Sequence, residues 1–173
     1  MLSSLTFVLG GAASGKSAYA ENLIENSGLS MTYLATAQGQ DSEMRAKIAI
    51  HAKRRSSTWS LIEAPLDVTA ALASLEPGQI CLFDCATLWL SNQMMAKRDL
   101  TEATTELLQS IATCRAPLVI VSNEVGQGIV PADAMTRQFR EAQGRLNIAL
   151  AARADVAVLV VAGLPLALKG TLP

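Results

Sequence analysis

Residues Gly10 to Ser17 read Gly-Gly-Ala-Ala-Ser-Gly-Lys-Ser and follow directly on the apolar run Leu5 to Leu9. A strand, a glycine loop and a helix in that order leave few folds open. The spacing G-x-x-x-x-G-K-[ST] is that of a phosphate-binding loop. Glycines let the backbone curl around phosphate oxygens, the lysine reaches the β and γ phosphates, and the hydroxyl residue ligates magnesium. Gly10, Gly15, Lys16 and Ser17 take those places, and the segment Lys16 to Glu25 reads as a helix whose first amides face the same anion.

Beyond the loop, short apolar runs alternate with helix-like stretches. Strands are expected near Thr32–Leu34, Trp59–Ile62, Ile80–Phe83, Leu118–Val121 and Val156–Val161. Helices are expected over Lys16–Glu25, Glu43–Arg54, Leu66–Leu75, Thr87–Lys97, Thr101–Cys114 and Ala134–Ala152. This alternation predicts an α/β fold with a mainly parallel central sheet and helices on both faces. The runs at Ile80, Leu118 and Val156 are nearly continuous in Ile, Leu and Val, as strands covered on both sides should be. In such a sheet the ligand site lies at the carboxyl ends of the strands, where Gly10, Thr36, Glu63, Asp84 and Asn123 emerge.

The 173 residues suit a single domain spanning 1–173, half of it hydrophobic and only 17% of it charged. A net charge of −1 gives no reason to expect a nucleic-acid partner, and the positive charge present is local. No run reaches the roughly 18–20 apolar residues of a membrane span, so a cytoplasmic protein is expected. Cys81, Cys85 and Cys114 form no C-x-x-C pair and read as buried thiols.

Asp84 closes the run Ile80–Phe83. There it is either a strand-terminal carboxylate for the magnesium shell or the cap of the following helix. His51, the single histidine, lies among Arg45, Lys47, Lys53, Arg54 and Arg55. On a helix, Lys47, His51 and Arg55 share a face. Neighbouring cations lower an imidazole's pKa and keep it a neutral nucleophile, and they also bind triphosphate; a solvated basic face is the plainer alternative. Glu63, Asn123 and Glu124 either contact nucleotide or metal, or cap helices. Arg137, Arg140 and Arg145 offer a phosphate contact or a subunit salt bridge, while Phe139, Leu146 and Leu150 face the sheet. Trp59 and Trp89 read as core or interface anchors.

Taken together, these segments resemble the bifunctional adenosylcobinamide kinase and adenosylcobinamide-phosphate guanylyltransferase family. The resemblance runs through Gly10–Ser17, Tyr33–Ala37, Glu43-Met44 with Ile48, His51 and Arg54-Arg55, and then Trp59 and Glu63. It continues through Asp84-Cys85 with Thr87, Leu88, Trp89 and Asn92, Ser122–Gly126, Gly128–Pro131, Phe139-Arg140 and Gly144–Asn147, to Gly163–Leu166. It implies a P-loop NTPase fold of the RecA-like kind. It also implies two reactions: phosphorylation of adenosylcobinamide by ATP or GTP, and transfer of GMP from GTP, through a guanylylated histidine, onto adenosylcobinamide phosphate.

By this resemblance His51 and Lys16 are the catalytic residues. Gly10, Gly11, Ala12, Ala13, Ser14, Gly15, Lys16, Ser17, Ala35, Thr36, Ala37, Ala52, Lys53, Arg54, Arg55, Glu63 and Asp84 bind nucleotide, with Glu63 placed to accept from guanine donors. Ser17 and Asp84 hold Mg2+. A homo-oligomer is implied as well, with a trimer as the candidate form. Two positions depart from the pattern: Ala13 stands where arginine is usual, and Ile148 where glutamine is usual. No N-K-x-D motif is present. The competing readings are a simple small-molecule kinase and a non-enzymatic nucleotide-binding switch.

Overall fold

The computed structural model describes residues 3–38 and 58–173. Seven strands form one sheet: β1 (Leu5–Gly10), β2 (Ser30–Ala35), β3 (Ser60–Glu63), β4 (Gln79–Asp84), β5 (Leu118–Asn123), β6 (Val156–Val161) and β7 (Leu164–Lys169). Their order is β3-β2-β4-β5-β1-β6-β7, and every pairing is parallel except β6 with β7. The helices are α1 (Lys16–Glu25), α2 (Val68–Ala73), α3 (Ala86–Met95), α4 (Leu100–Thr113) and α5 (Ala134–Arg153). The predicted helix Glu43–Arg54 lies outside the described residues.

Strand side chains alternate between two cores, which is why the central strands carry almost no polar positions. Phe7, Phe83 and Ile120 face a layer holding Leu72, Trp89, Leu107, Leu146 and Leu150. Val8, Leu82 and Val121 face Ala20 and Ile24 of α1. Among the described residues, α1 therefore covers one face and α2 to α5 supply the other. No helix among them is long and apolar enough to cross a membrane.

The expected central positions hold for β4 and β5. β1, which is as apolar as either, takes the next place, and β6 sits one strand from the edge. Helix boundaries follow capping chemistry. Asp67 accepts from the Ala70 amide and so starts α2 later than expected, Asp99 takes two amides of α4, and Asp133 takes two of α5. Trp89 is core, its indole N–H donating to the Leu66 carbonyl at 3.1 Å. Trp59 stands edge-on to Tyr33, with ring centroids 6.3 Å apart. Cys81 and Cys85 are buried and Cys114 half-buried.

Strand β7 was not expected from the sequence. Its run Leu164-Pro165-Leu166-Ala167-Leu168 is mostly exposed, so no burial pattern marks it. Pro165 also reads against a strand, and is accommodated because β7 is an edge. A two-residue turn joins β6 to β7, with Ala162 at φ 52° and Gly163 at φ 78°. Positive φ at both turn residues matches the twist of an antiparallel pair.

Candidate nucleotide site

The loop from Gly10 to Ser17 leaves the carboxyl end of β1 and turns into α1. Gly15 caps α1 with φ 94° and no side-chain cap hydrogen bond. The first amides of the helix therefore point at the loop without an internal partner, the arrangement that receives phosphate. At Gly10 a Cβ would collide with the Ser14 hydroxyl and stand 2.7 Å from the Val160 carbonyl, so the tight start of the loop requires glycine. Ala13 is exposed at φ 55°, placing the departure from the family pattern at the loop's outer bend.

Lys16 folds its ammonium back to the Gly11 carbonyl at 3.0 Å. Burial lowers its pKa, and the Asp84 carboxylate works in the opposite direction. The Cys85 thiol, pushed up to about 12 by burial and by Asp84, is neutral at physiological pH. Asp84 is thus the anion that Lys16 meets on this side of the sheet.

Asp84 ends β4, two strands from Gly10, and its Oδ2 accepts from the Tyr33 hydroxyl at 3.1 Å. It does not cap α3. Cys85 does, its Sγ accepting from the Leu88 amide. Nor do Glu63, Asn123 or Glu124 cap a described helix, since those caps are Gly15, Asp67, Cys85, Asp99 and Asp133. The capping alternative is therefore set aside for all four residues. A hydroxyl on Ser17 and a carboxylate on Asp84 are hard oxygen donors, a set that suits Mg2+.

The other strand ends divide. Thr36 is fully buried: its hydroxyl donates to the Cys85 carbonyl at 2.8 Å and accepts from the Cys85 amide at 2.9 Å. That hydroxyl ties β2 to β4, and the Asn92 amide holds the Thr36 carbonyl at 2.8 Å. Glu63 is exposed on β3, level with Ala35. It stands four strands from β1, roughly 19 Å at ordinary strand spacing, so the structure does not gather it with the loop. His51, Ala52, Lys53, Arg54 and Arg55 lie outside the described residues.

A buried polar network behind the loop was missed by sequence reading. Ser122 donates to Asn147 Oδ1 at 2.7 Å, Gln143 donates to both at 2.9 Å, and Thr87 Oγ1 accepts from the Asn123 amide at 2.7 Å. Asn147 also donates to the Asn123 carbonyl at 3.2 Å. These contacts fix the end of β5 beside Gly10, with which Asn123 is in register. The available signal was polar residues on the inner face of a long amphipathic helix. Arg137 and Arg140 hold carbonyls of the segment between β5 and α5, and Arg145 pairs with Glu141. In the structure all three arginines are engaged within the chain.

A phosphate loop at the end of β1, with a carboxylate ending a nearby parallel strand, defines a P-loop NTPase. A solved protein from Pyrococcus horikoshii OT3 shares the fold, with a TM-score of 0.56 at 8% identity, covering 99% of this chain and 89% of that one. Residues 6–168 match the family described as cobinamide kinase / cobinamide phosphate guanyltransferase. The bifunctional adenosylcobalamin biosynthesis protein CobP of Pseudomonas aeruginosa is 42% identical, over 94% of this chain and 96% of its own length. The corresponding CobU proteins of Salmonella typhimurium and Escherichia coli are 36% and 33% identical, each over 95% of this chain and 99% of theirs. The chain belongs to the cobinamide kinase / cobinamide phosphate guanyltransferase family.

Proposed function

We propose that the chain phosphorylates adenosylcobinamide with ATP or GTP and then transfers GMP from GTP to the product. The transfer releases pyrophosphate and yields adenosylcobinamide-GDP. The family match across residues 6–168, together with a complete phosphate loop, carries the reading. In the first reaction Lys16 and the α1 amides would hold the β and γ phosphates and neutralise charge as the γ-phosphoryl group moves. Ser17 and Asp84 would hold Mg2+, which supplies electrostatic neutralisation of the phosphates when bound.

In the second reaction His51 would attack the α-phosphorus through a neutral imidazole nitrogen. The phosphorus–nitrogen bond forms as the bond to pyrophosphate breaks, and the acceptor phosphate then displaces histidine. Lys16 and the basic residues Lys53, Arg54 and Arg55 would steady the departing pyrophosphate. Ala35, Thr36 and Ala37 would border the nucleotide at the end of β2, where Cys85, Asp84 and Asn92 hold the Thr36 hydroxyl, amide and carbonyl in place. Glu63 is the candidate for reading guanine. Self-association belongs to the same reading, and the exposed Leu164, Leu166 and Leu168 of the edge strand supply apolar area for it.

GTP labelled at the α-phosphate tests the transfer half. Acid-labile, base-stable label on the wild type and none on His51→Ala is the expected result. Equal labelling of the two proteins would refute the histidine route. Mass spectrometry of the products separates this enzyme from a simple kinase, which would yield phosphorylated but never nucleotidylated acceptor.

A further inference from the structure

We infer that the cavity beside the phosphate loop seats the alcohol arm of the acceptor in the phosphorylation step, and that Glu124 is the base that takes its proton. The inference rests on the kinase half of the proposed function and gives that half a place and a residue. The cavity encloses about 500 Å³. One side is the loop itself, Gly11 to Ser14, a second is the end of β6 from Leu159 to Ala162, and Glu124 and Gln127 close the third. Such a volume is ordinary for a small-molecule site. It takes the hydroxyl-bearing arm of a larger substrate whose bulk remains outside.

Glu124 is positioned with care. Its amide donates to the Gly10 carbonyl at 3.1 Å, setting it directly beside the first residue of the loop. The preceding residue, Asn123, is held at both its amide and its carbonyl by Thr87 and Asn147. Glu124 Oε1 accepts from the Gly126 amide, and a Cβ at residue 126 would stand 2.8 Å from that oxygen. Arg140 in turn holds the Gly126 and Ile129 carbonyls. The carboxylate is therefore braced through one oxygen, and no hydrogen bond among the described residues engages Oε2.

The chemistry separates the two reactions. An alcohol attacking the γ-phosphorus must lose a proton. The oxygen–phosphorus bond forms, the bond from γ-phosphorus to the β–γ bridging oxygen breaks with its electron pair leaving on the nucleoside diphosphate, and the proton passes to Glu124. Guanylyl transfer makes no such demand, because a neutral imidazole and then a phosphate anion attack without shedding a proton. Glu124 serves the first reaction only.

The test uses Glu124→Gln in the full chain, assaying each half-reaction alone: phosphorylation of adenosylcobinamide, and guanylylation followed by transfer to preformed adenosylcobinamide phosphate. Phosphorylation kcat is expected to fall by about 10²–10⁴-fold. Guanylyl transfer should stay within about threefold of wild type, and Glu124→Asp should recover part of the lost rate. Val161→Trp, which narrows the cavity, should raise the acceptor KM at unchanged nucleotide affinity. Undiminished phosphorylation by Glu124→Gln, or equal loss of both half-reactions, overturns the assignment of the base. An unchanged acceptor KM in Val161→Trp overturns the cavity. A wild-type protein that phosphorylates nothing refutes the proposed function itself, and the base with it.

Discussion

The amide of Gly163 donates to the carbonyl of Ser14 at 2.8 Å, so the β6–β7 turn closes on the phosphate loop from outside. A Cβ on Gly15 would stand 3.0 Å from Gly163 Cα, and the two residues have φ of 94° and 78°. The missing Cβ at Gly15 permits this approach, and glycine at both positions accommodates the positive φ. The edge hairpin therefore props the loop that holds phosphate, although β7 itself carries none of the site residues predicted from the sequence.

Gly15→Ala and Gly163→Ala should differ in cost. At residue 163 no atom lies within 4 Å of the added Cβ, so the substitution incurs only the left-handed penalty, about 1–2 kcal/mol. At residue 15 the same penalty is joined by a main-chain clash. Urea unfolding should show a larger loss for Gly15→Ala, and calorimetry a loss of triphosphate affinity. Equal midpoints would show that the hairpin does not press on the loop.

The lowered pKa of Lys16 gives nucleotide affinity a pH dependence. Burial disfavours the ammonium, so the free folded protein releases this proton at a lower pH than 10.5, the ordinary lysine value. In that window the unfolded chain binds more protons than the folded one, and stability gains as pH rises. Phosphate binding works the other way, favouring the charged form. Affinity for a non-hydrolysable triphosphate should fall as pH rises through the lowered pKa, and Lys16→Met should flatten that limb. A parallel decline in Lys16→Met would assign the effect to another group.

Asn147→Leu should be far more damaging than Glu141→Ala on the same helix. Asn147 is buried and serves Ser122, Gln143 and the Asn123 carbonyl, so its loss strands polar groups, at a cost of about 2–4 kcal/mol. Glu141 pairs with an exposed arginine at 3.5 Å, worth about 0.5 kcal/mol or less. Thermal unfolding of the two variants measures the contrast.

Asp155 ties the start of β6 to that of β1. Its carboxylate accepts from the Ser4 hydroxyl at 2.7 Å and the Leu5 amide at 3.0 Å, and these bonds hold its pKa below 3.8. A depressed carboxylate stabilises the fold above its unfolded pKa and loses that contribution as pH falls through the folded one. Asp155→Asn should lower Tm at pH 7, with the gap to wild type narrowing below pH 3.8. A constant gap across the acid range would contradict this origin.

The loop was legible because its spacing is local: Gly10, Gly15, Lys16 and Ser17 lie within one turn of chain and need no distant partner to be recognised. The buried strands were legible because two covered faces demand apolar residues throughout. Asp84 was half legible. Its place after an apolar run suggested either a ligand or a cap, and only the tertiary structure, with Cys85 as the cap, removed the second. Thr36 looked like a ligand at a strand end, yet its hydroxyl meets Cys85, far away in sequence.

By itself, then, the sequence determined the phosphate loop, the parallel α/β class and the family, since each rests on local spacing or on similarity along the chain. Tertiary structure decided the strand order, the edge hairpin that braces Ser14 and Gly15, and the amide and hydroxyl network that sets Asn123 and Glu124 beside Gly10. Those contacts join residues remote in sequence, and no local pattern encodes them. Hydrogen bonding selects them because a buried polar group must find a partner wherever the fold brings one.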